Sequence, residues 1–102
     1  MLELRPTCEN CNKELPPHST DAFICSYECT FCAHCVDHVL HNVCPNCGGG
    51  FEKRPTRPAR DWIGGNYLGK DPASAKVKHR PVNEIEHGHF AEPIRNITPE
   101  QR

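Results

Sequence analysis

Cys25-Ser26-Tyr27-Glu28-Cys29-Thr30-Phe31-Cys32-Ala33-His34-Cys35 places four cysteines within eleven residues, and the remaining four flank it as Cys8-Glu9-Asn10-Cys11 and Cys44-Pro45-Asn46-Cys47. All eight therefore fall in four pairs between Cys8 and Cys47, and none follows. A turn with two residues between cysteines lets both sulfurs reach one ion at ~2.3 Å, with the backbone N–H groups of the turn free to bond the thiolates. Two such pairs complete a tetrahedron, so four pairs predict two closed four-cysteine sites. Soft thiolates in tetrahedral array suit zinc, and the expected cofactors are two Zn²⁺ ions; iron is the competing metal.

The rest of the composition makes such ions necessary. The chain has 102 residues, room for one compact domain and a tail, with 36% hydrophobic residues and ten prolines. That apolar share falls below the ~45–50% of ordinary domains, and a core this thin needs metal or disulfide reinforcement. Met1-Leu2-Glu3-Leu4-Arg5 has neither the basic flank nor the apolar run of an export signal, and no stretch suits a membrane span. A cytoplasmic location follows, where cysteines persist as thiols and metal is the default reading.

Three segments are expected. Residues 1–50 form the two-zinc module, residues 51–60 a basic proline-rich arm, and residues 61–102 an irregular extension, partly docked or disordered. Within the module, the apolar run Ala22-Phe23-Ile24 predicts a short strand entering Cys25. Val36, Val39, Leu40 and Val43 recur at helical spacing and predict about two turns of helix with one face on the metal core. Beyond Arg60, Trp62, Ile63, Tyr67 and Leu68 form a small apolar cluster, and from Pro72 onward no period is evident.

Spacing leaves two groupings of the pairs open. Sequentially, Cys8, Cys11, Cys25 and Cys29 would share one ion and Cys32, Cys35, Cys44 and Cys47 the other; interleaved, pairs one and three share an ion, as do pairs two and four. The ligand order resembles a RING finger, including the Cys-Pro-x-Cys close at Cys44 to Cys47 and Phe31 just before Cys32. That resemblance implies a RING-like or treble-clef-like cross-brace with one short helix and short strands. It assigns Cys8, Cys11, Cys32 and Cys35 to site one and Cys25, Cys29, Cys44 and Cys47 to site two, with Cys29 standing where the family usually has histidine. A longer resemblance rests on Leu2-Glu3-Leu4-Arg5-Pro6, Asp21-Ala22-Phe23-Ile24-Cys25-Ser26, Glu28-Cys29-Thr30-Phe31-Cys32, Cys44-Pro45-Asn46-Cys47-Gly48-Gly49, Arg54-Pro55 and Arg57-Pro58. In these the chain is similar to the small bacterial family called domain of unknown function 1272, which implies a zinc-dependent fold but no reaction.

Function is read by elimination. Ubiquitin-ligase-like activity is disfavoured: Asn10 replaces the apolar residue expected before the second cysteine, Val36 to Val43 has no aromatic, and Gly48 follows the last ligand. Eight thiolates fill two tetrahedra and leave no open coordination position, so no catalytic zinc is expected and the histidines read as polar surface. Residues 1–50 carry two basic against six acidic side chains and residues 51–102 ten against seven. Lys53, Arg54, Arg57 and Arg60 could follow phosphates as an extended arm or fold back on the acidic module. The favoured reading is a non-enzymatic protein-interaction module whose partner is another protein or a second copy, with Trp62 among the anchors and nucleic acid as the alternative.

Overall fold

The computed structural model describes all 102 residues. Three very short strands form an antiparallel sheet in the order β2-β1-β3: β1 is Ala22–Ile24, β2 is Thr30–Cys32 and β3 is Glu52–Lys53. Phe23 faces Phe31 on one side and Lys53 on the other. The predicted strand at 22–24 is thus the central one, and the Cys25–Cys29 turn is the hairpin joining it to β2. Strands of two and three residues have too few ladder bonds to stand alone, so their order comes from what packs on them. Every residue of β2 is buried, and the core gathers Leu15, Phe31, Val36, Leu40 and Phe51 among the cysteines. Phe31 and Phe51 meet edge-to-face with ring centroids 5.4 Å apart.

The helix expected over Val36–Val43 is instead one wide π-type turn, Cys35–Val39, closed by the Leu40 N–H on the Cys35 carbonyl at 2.8 Å. His41 and Asn42 then adopt left-handed backbone, φ 53° and 57°, which stops any helix. The apolar pattern nonetheless marks the inward side: Val36, Leu40 and Val43 are buried, and Val39 packs against the core.

Structure continues past residue 50, because β3 belongs to the sheet and Arg54 lies inside the module. The extension, expected to be irregular, is laid over the module in three pieces. An exposed loop carries Trp62 and Ile63, 75% and 77% exposed. A strap follows, with the Ser74 N–H on the Leu4 carbonyl (3.0 Å) and the Arg80 N–H on the Glu9 carbonyl (2.7 Å), so it runs beside residues 4–10 in the same direction. Helix α1, Glu84–Ala91, comes last; Asn83 caps it by accepting the Glu86 N–H at 3.0 Å. It is seated by buried Ala91 and by buried His87, whose Nε2 bonds the Leu40 carbonyl at 2.9 Å. The C-terminal Arg102 reaches the carbonyls of Asn42 and Gly48 at 2.8 and 3.1 Å.

Candidate metal centres

The first and last cysteine pairs sit in the same local fold. The Asn12 N–H bonds the Cys8 carbonyl at 3.0 Å and the Cys8 N–H bonds the Lys13 carbonyl at 2.8 Å; in the same relative positions, Gly48 bonds Cys44 and Cys44 bonds Gly49, each at 2.8 Å. The residue after the second cysteine is left-handed in both, Asn12 at φ 64° and Gly48 at φ 77°. Asparagine and glycine are the residue types that tolerate this conformation best. In the Cys25–Cys29 turn the additional residue is absorbed by Glu28, also left-handed at φ 66°.

These turns assemble the thiols into two groups. The sulfurs of Cys8, Cys11, Cys32 and Cys35 all lie within 4.8 Å of one another, as do those of Cys25, Cys44 and Cys47. Cys29 stands at the edge of the second group, its thiol meeting that of Cys25. The grouping is interleaved along the chain: pair one sits with pair three, and Cys25 sits with pair four. Cys11 and Cys32 are 3.7 Å apart. A tetrahedron with ligand distances of ~2.3 Å has an edge of about 3.8 Å, so this separation needs little adjustment to accept an ion.

Hydrogen bonds to sulfur complete the centres. Backbone N–H groups of Tyr27, Asn46 and Gly49 donate to Cys25, Cys44 and Cys47 at 3.3, 3.4 and 3.4 Å. Two side-chain amides also donate, Asn10 Nδ2 to Cys35 at 3.3 Å and Asn46 Nδ2 to Cys29 at 3.4 Å. Each asparagine precedes the second cysteine of its own pair and bonds a thiol of the opposite pair, so each ties the two halves of a centre together. The signal for this role was the shared Cys-x-Asn-Cys of Cys8–Cys11 and Cys44–Cys47.

Without a cation, burial pushes the thiols of Cys35 and Cys44 far above the ordinary range, and those of Cys29 and Cys32 upward as well; neighbouring thiols add to this. At Cys11 burial acts the same way but is outweighed by the Lys13 backbone N–H and the surrounding thiols, and its value falls. A metal loading these centres must displace protons from the buried thiols.

The predicted contact residues are separated by the fold. Lys53, Arg60 and Trp62 are exposed, but Arg54 is only 1% exposed. Its guanidinium donates to the carbonyls of Arg5, Leu15 and Pro16 at 2.9, 3.2 and 3.1 Å, and Arg57 donates to those of Asp71 and Leu2 at 2.8 and 2.7 Å. Two of the four arm cations therefore staple the chain to itself. Among the histidines flanking the cysteines, His34 and His38 are exposed, with ring centroids 4.7 Å apart. No helix is long and apolar enough to cross a membrane.

An uncharacterized protein from Rhizobium meliloti (strain 1021) is 54% identical over 81 residues, covering 79% of this chain and 89% of the relative. No solved structure matches. The family model described as protein of unknown function (DUF1272) matches residues 1–57, from the first turn through β3 to the stapling arginines, and the chain belongs to that family.

Proposed function

We propose that the chain is a two-zinc structural protein of the bacterial cytoplasm, with RING-like interleaved sites, that acts as a protein-interaction module and catalyses no reaction. Zinc is the metal that four thiolates at tetrahedral spacing favour, and Cys29 closes the second site by turning toward Cys44 and Cys47. With four thiolates per ion neither site has a position for water or substrate, so chemistry at the metal is not expected.

The observation that carries the interaction reading is the Trp62–Ile63 tip. Two large apolar side chains, 75% and 77% exposed, stand together on a loop fixed by the Gly65 N–H on Asp61 Oδ1 (2.9 Å) and the Leu68 N–H on the Pro58 carbonyl (2.9 Å). Tryptophan is the residue most often found as an interface anchor. Tyr67 and Leu68, grouped with them from sequence, are half-buried and brace the loop.

Native mass spectrometry should find two zinc ions per chain, both lost on chelation; one ion, or the visible absorbance of iron, would overturn the assignment. Trp62→Ala should abolish self-association in sedimentation, or capture of a partner, with zinc content unchanged. If the variant unfolds or sheds zinc, Trp62 belongs to the fold and the reading fails.

A further inference from the structure

Between the two equivalent turns, and enclosed by the chain's own strap, an empty space of about 170 Å³ is walled by Glu9, Phe31, Pro45 and Asn46. Its remaining walls are Arg80, Pro81 and Val82 of that strap, which lies along the Leu4–Asn10 edge of the module. The contacts read an extended backbone: the Arg80 N–H donates to the Glu9 carbonyl (2.7 Å) and the Val82 N–H to Asn10 Oδ1 (2.8 Å). His79 Nε2 meets the Asn10 carbonyl at 3.1 Å. Val82 is the one side chain of the strap packed against the core. Pro81 is placed between the two donating residues, where its lack of an N–H costs nothing.

The strap's charge suits the surface beneath it. Lys76, Lys78 and Arg80 alternate along it, all exposed, while the module below is acidic and becomes more so when thiolates surround a divalent ion. Glu3 is held below the usual carboxylate range by Ser74 of the strap first, then by Arg5 and by Lys78. None of the three strap cations forms an ion pair; the pairs present are Arg5 with Glu3 and Glu9, and Lys13 with Asp21. Attachment thus depends on backbone bonds, one apolar anchor and unpaired charge attraction, a combination that another extended segment could reproduce.

We infer that the edge under this strap, from Leu4 to Asn10 and across to Pro45 and Asn46, is a docking groove for an extended basic peptide with a Lys-x-Lys-x-Arg-Pro-Val pattern on a partner protein, and that residues 74–82 cover it in cis as a displaceable stand-in. This rests on the interaction-module reading and places a second contact away from the Trp62 tip. A tethered segment competes at an effective concentration of about millimolar, so the closed chain should bind a free peptide poorly.

The test uses the full zinc-loaded chain and a fluorescent peptide of residues 74–92, read by anisotropy. Val82→Asp/Ala91→Asp, which unseats strap and helix, should bind the peptide at least tenfold more tightly than wild type. A peptide keeping only the Lys-x-Lys-x-Arg-Pro-Val positions, with alanine elsewhere, should bind within tenfold of the full one. Replacing its three cations by glutamate should remove binding. Should the double variant lose zinc, a protease site inserted at Gly64–Gly65 supplies the second measurement: after cutting, the wild-type tail should exchange with labelled tail while zinc is retained. Absence of binding and exchange, equal binding of the glutamate peptide, or a wild-type dimer with exchanged tails would each overturn the proposal. The groove is read by peptide anisotropy and tail exchange and the tip by sedimentation, so failure of the groove and failure of the tip are read separately.

Discussion

Asn10 and Asn46 do work that no cysteine count reveals. Each amide donates an N–H to a sulfur across its centre, and partners of this kind typically alter metal affinity by about 10–100-fold. Asn46→Ala should therefore speed zinc transfer to a colorimetric chelator by about tenfold or more at one centre only, giving two-phase release where wild type is closer to one. Arg54 shows the opposite case. Its chemistry is that of its neighbours Arg57 and Arg60, and sequence leaves open an extended arm or one folded back on the module; in the fold three backbone carbonyls depend on it. Arg54→Ala leaves these unpaired and should cost about 3 kcal/mol in urea unfolding, with both metals still bound in the native state. Gly48 holds the last cysteine turn: at φ 77° any side chain is strained, and Gly48→Ala should lower stability by about 1 kcal/mol.

Among the elements, those built by metal spacing were the readable ones. The cysteine pairs and the Ala22–Ile24 strand follow from residue types at fixed intervals. The Cys35–Val39 turn was half readable, because burial follows the apolar pattern whereas the left-handed His41 and Asn42 that end it carry no such signal. Helix α1 escaped because the residues it buries are His87 and Ala91, four apart, while Ile85 faces outward and Phe90 is only part-covered. Elements this small depend on the centres: chelation at neutral pH should abolish the near-ultraviolet dichroism of the core, and zinc should restore it. Proton linkage has a definite sign. The raised thiols of Cys29, Cys32, Cys35 and Cys44 are protonated in the metal-free chain at neutral pH, so loading must release protons. Apparent zinc affinity should therefore rise with pH through the neutral range, and calorimetry in buffers of different ionisation enthalpy should count the protons released.

At the level of the whole molecule, the extents are 46 × 27 × 18 Å, and the basic second half is wrapped against the acidic first half. The charge asymmetry was plain from sequence; its use was not, because backbone bonds from Arg80 and Ser74 depend on geometry that charge does not specify. If the wrap is chiefly electrostatic and backbone-mediated, hydrogen exchange at the Arg80 and Val82 amides should quicken with added salt, while the Phe31 amide inside the sheet stays protected.

The interleaving of the thiols also bears on biosynthesis. A ribosome releases Cys8, Cys11, Cys25 and Cys29 before Cys32 and Cys35 exist, so the first complete set of four to emerge is a set that the finished protein divides between its two centres. An ion captured early would have to be handed on as the next pair appears. Any such early complex is therefore non-native, and its ion would reach a native centre only by exchange of thiolates once Cys32 and Cys35 have emerged.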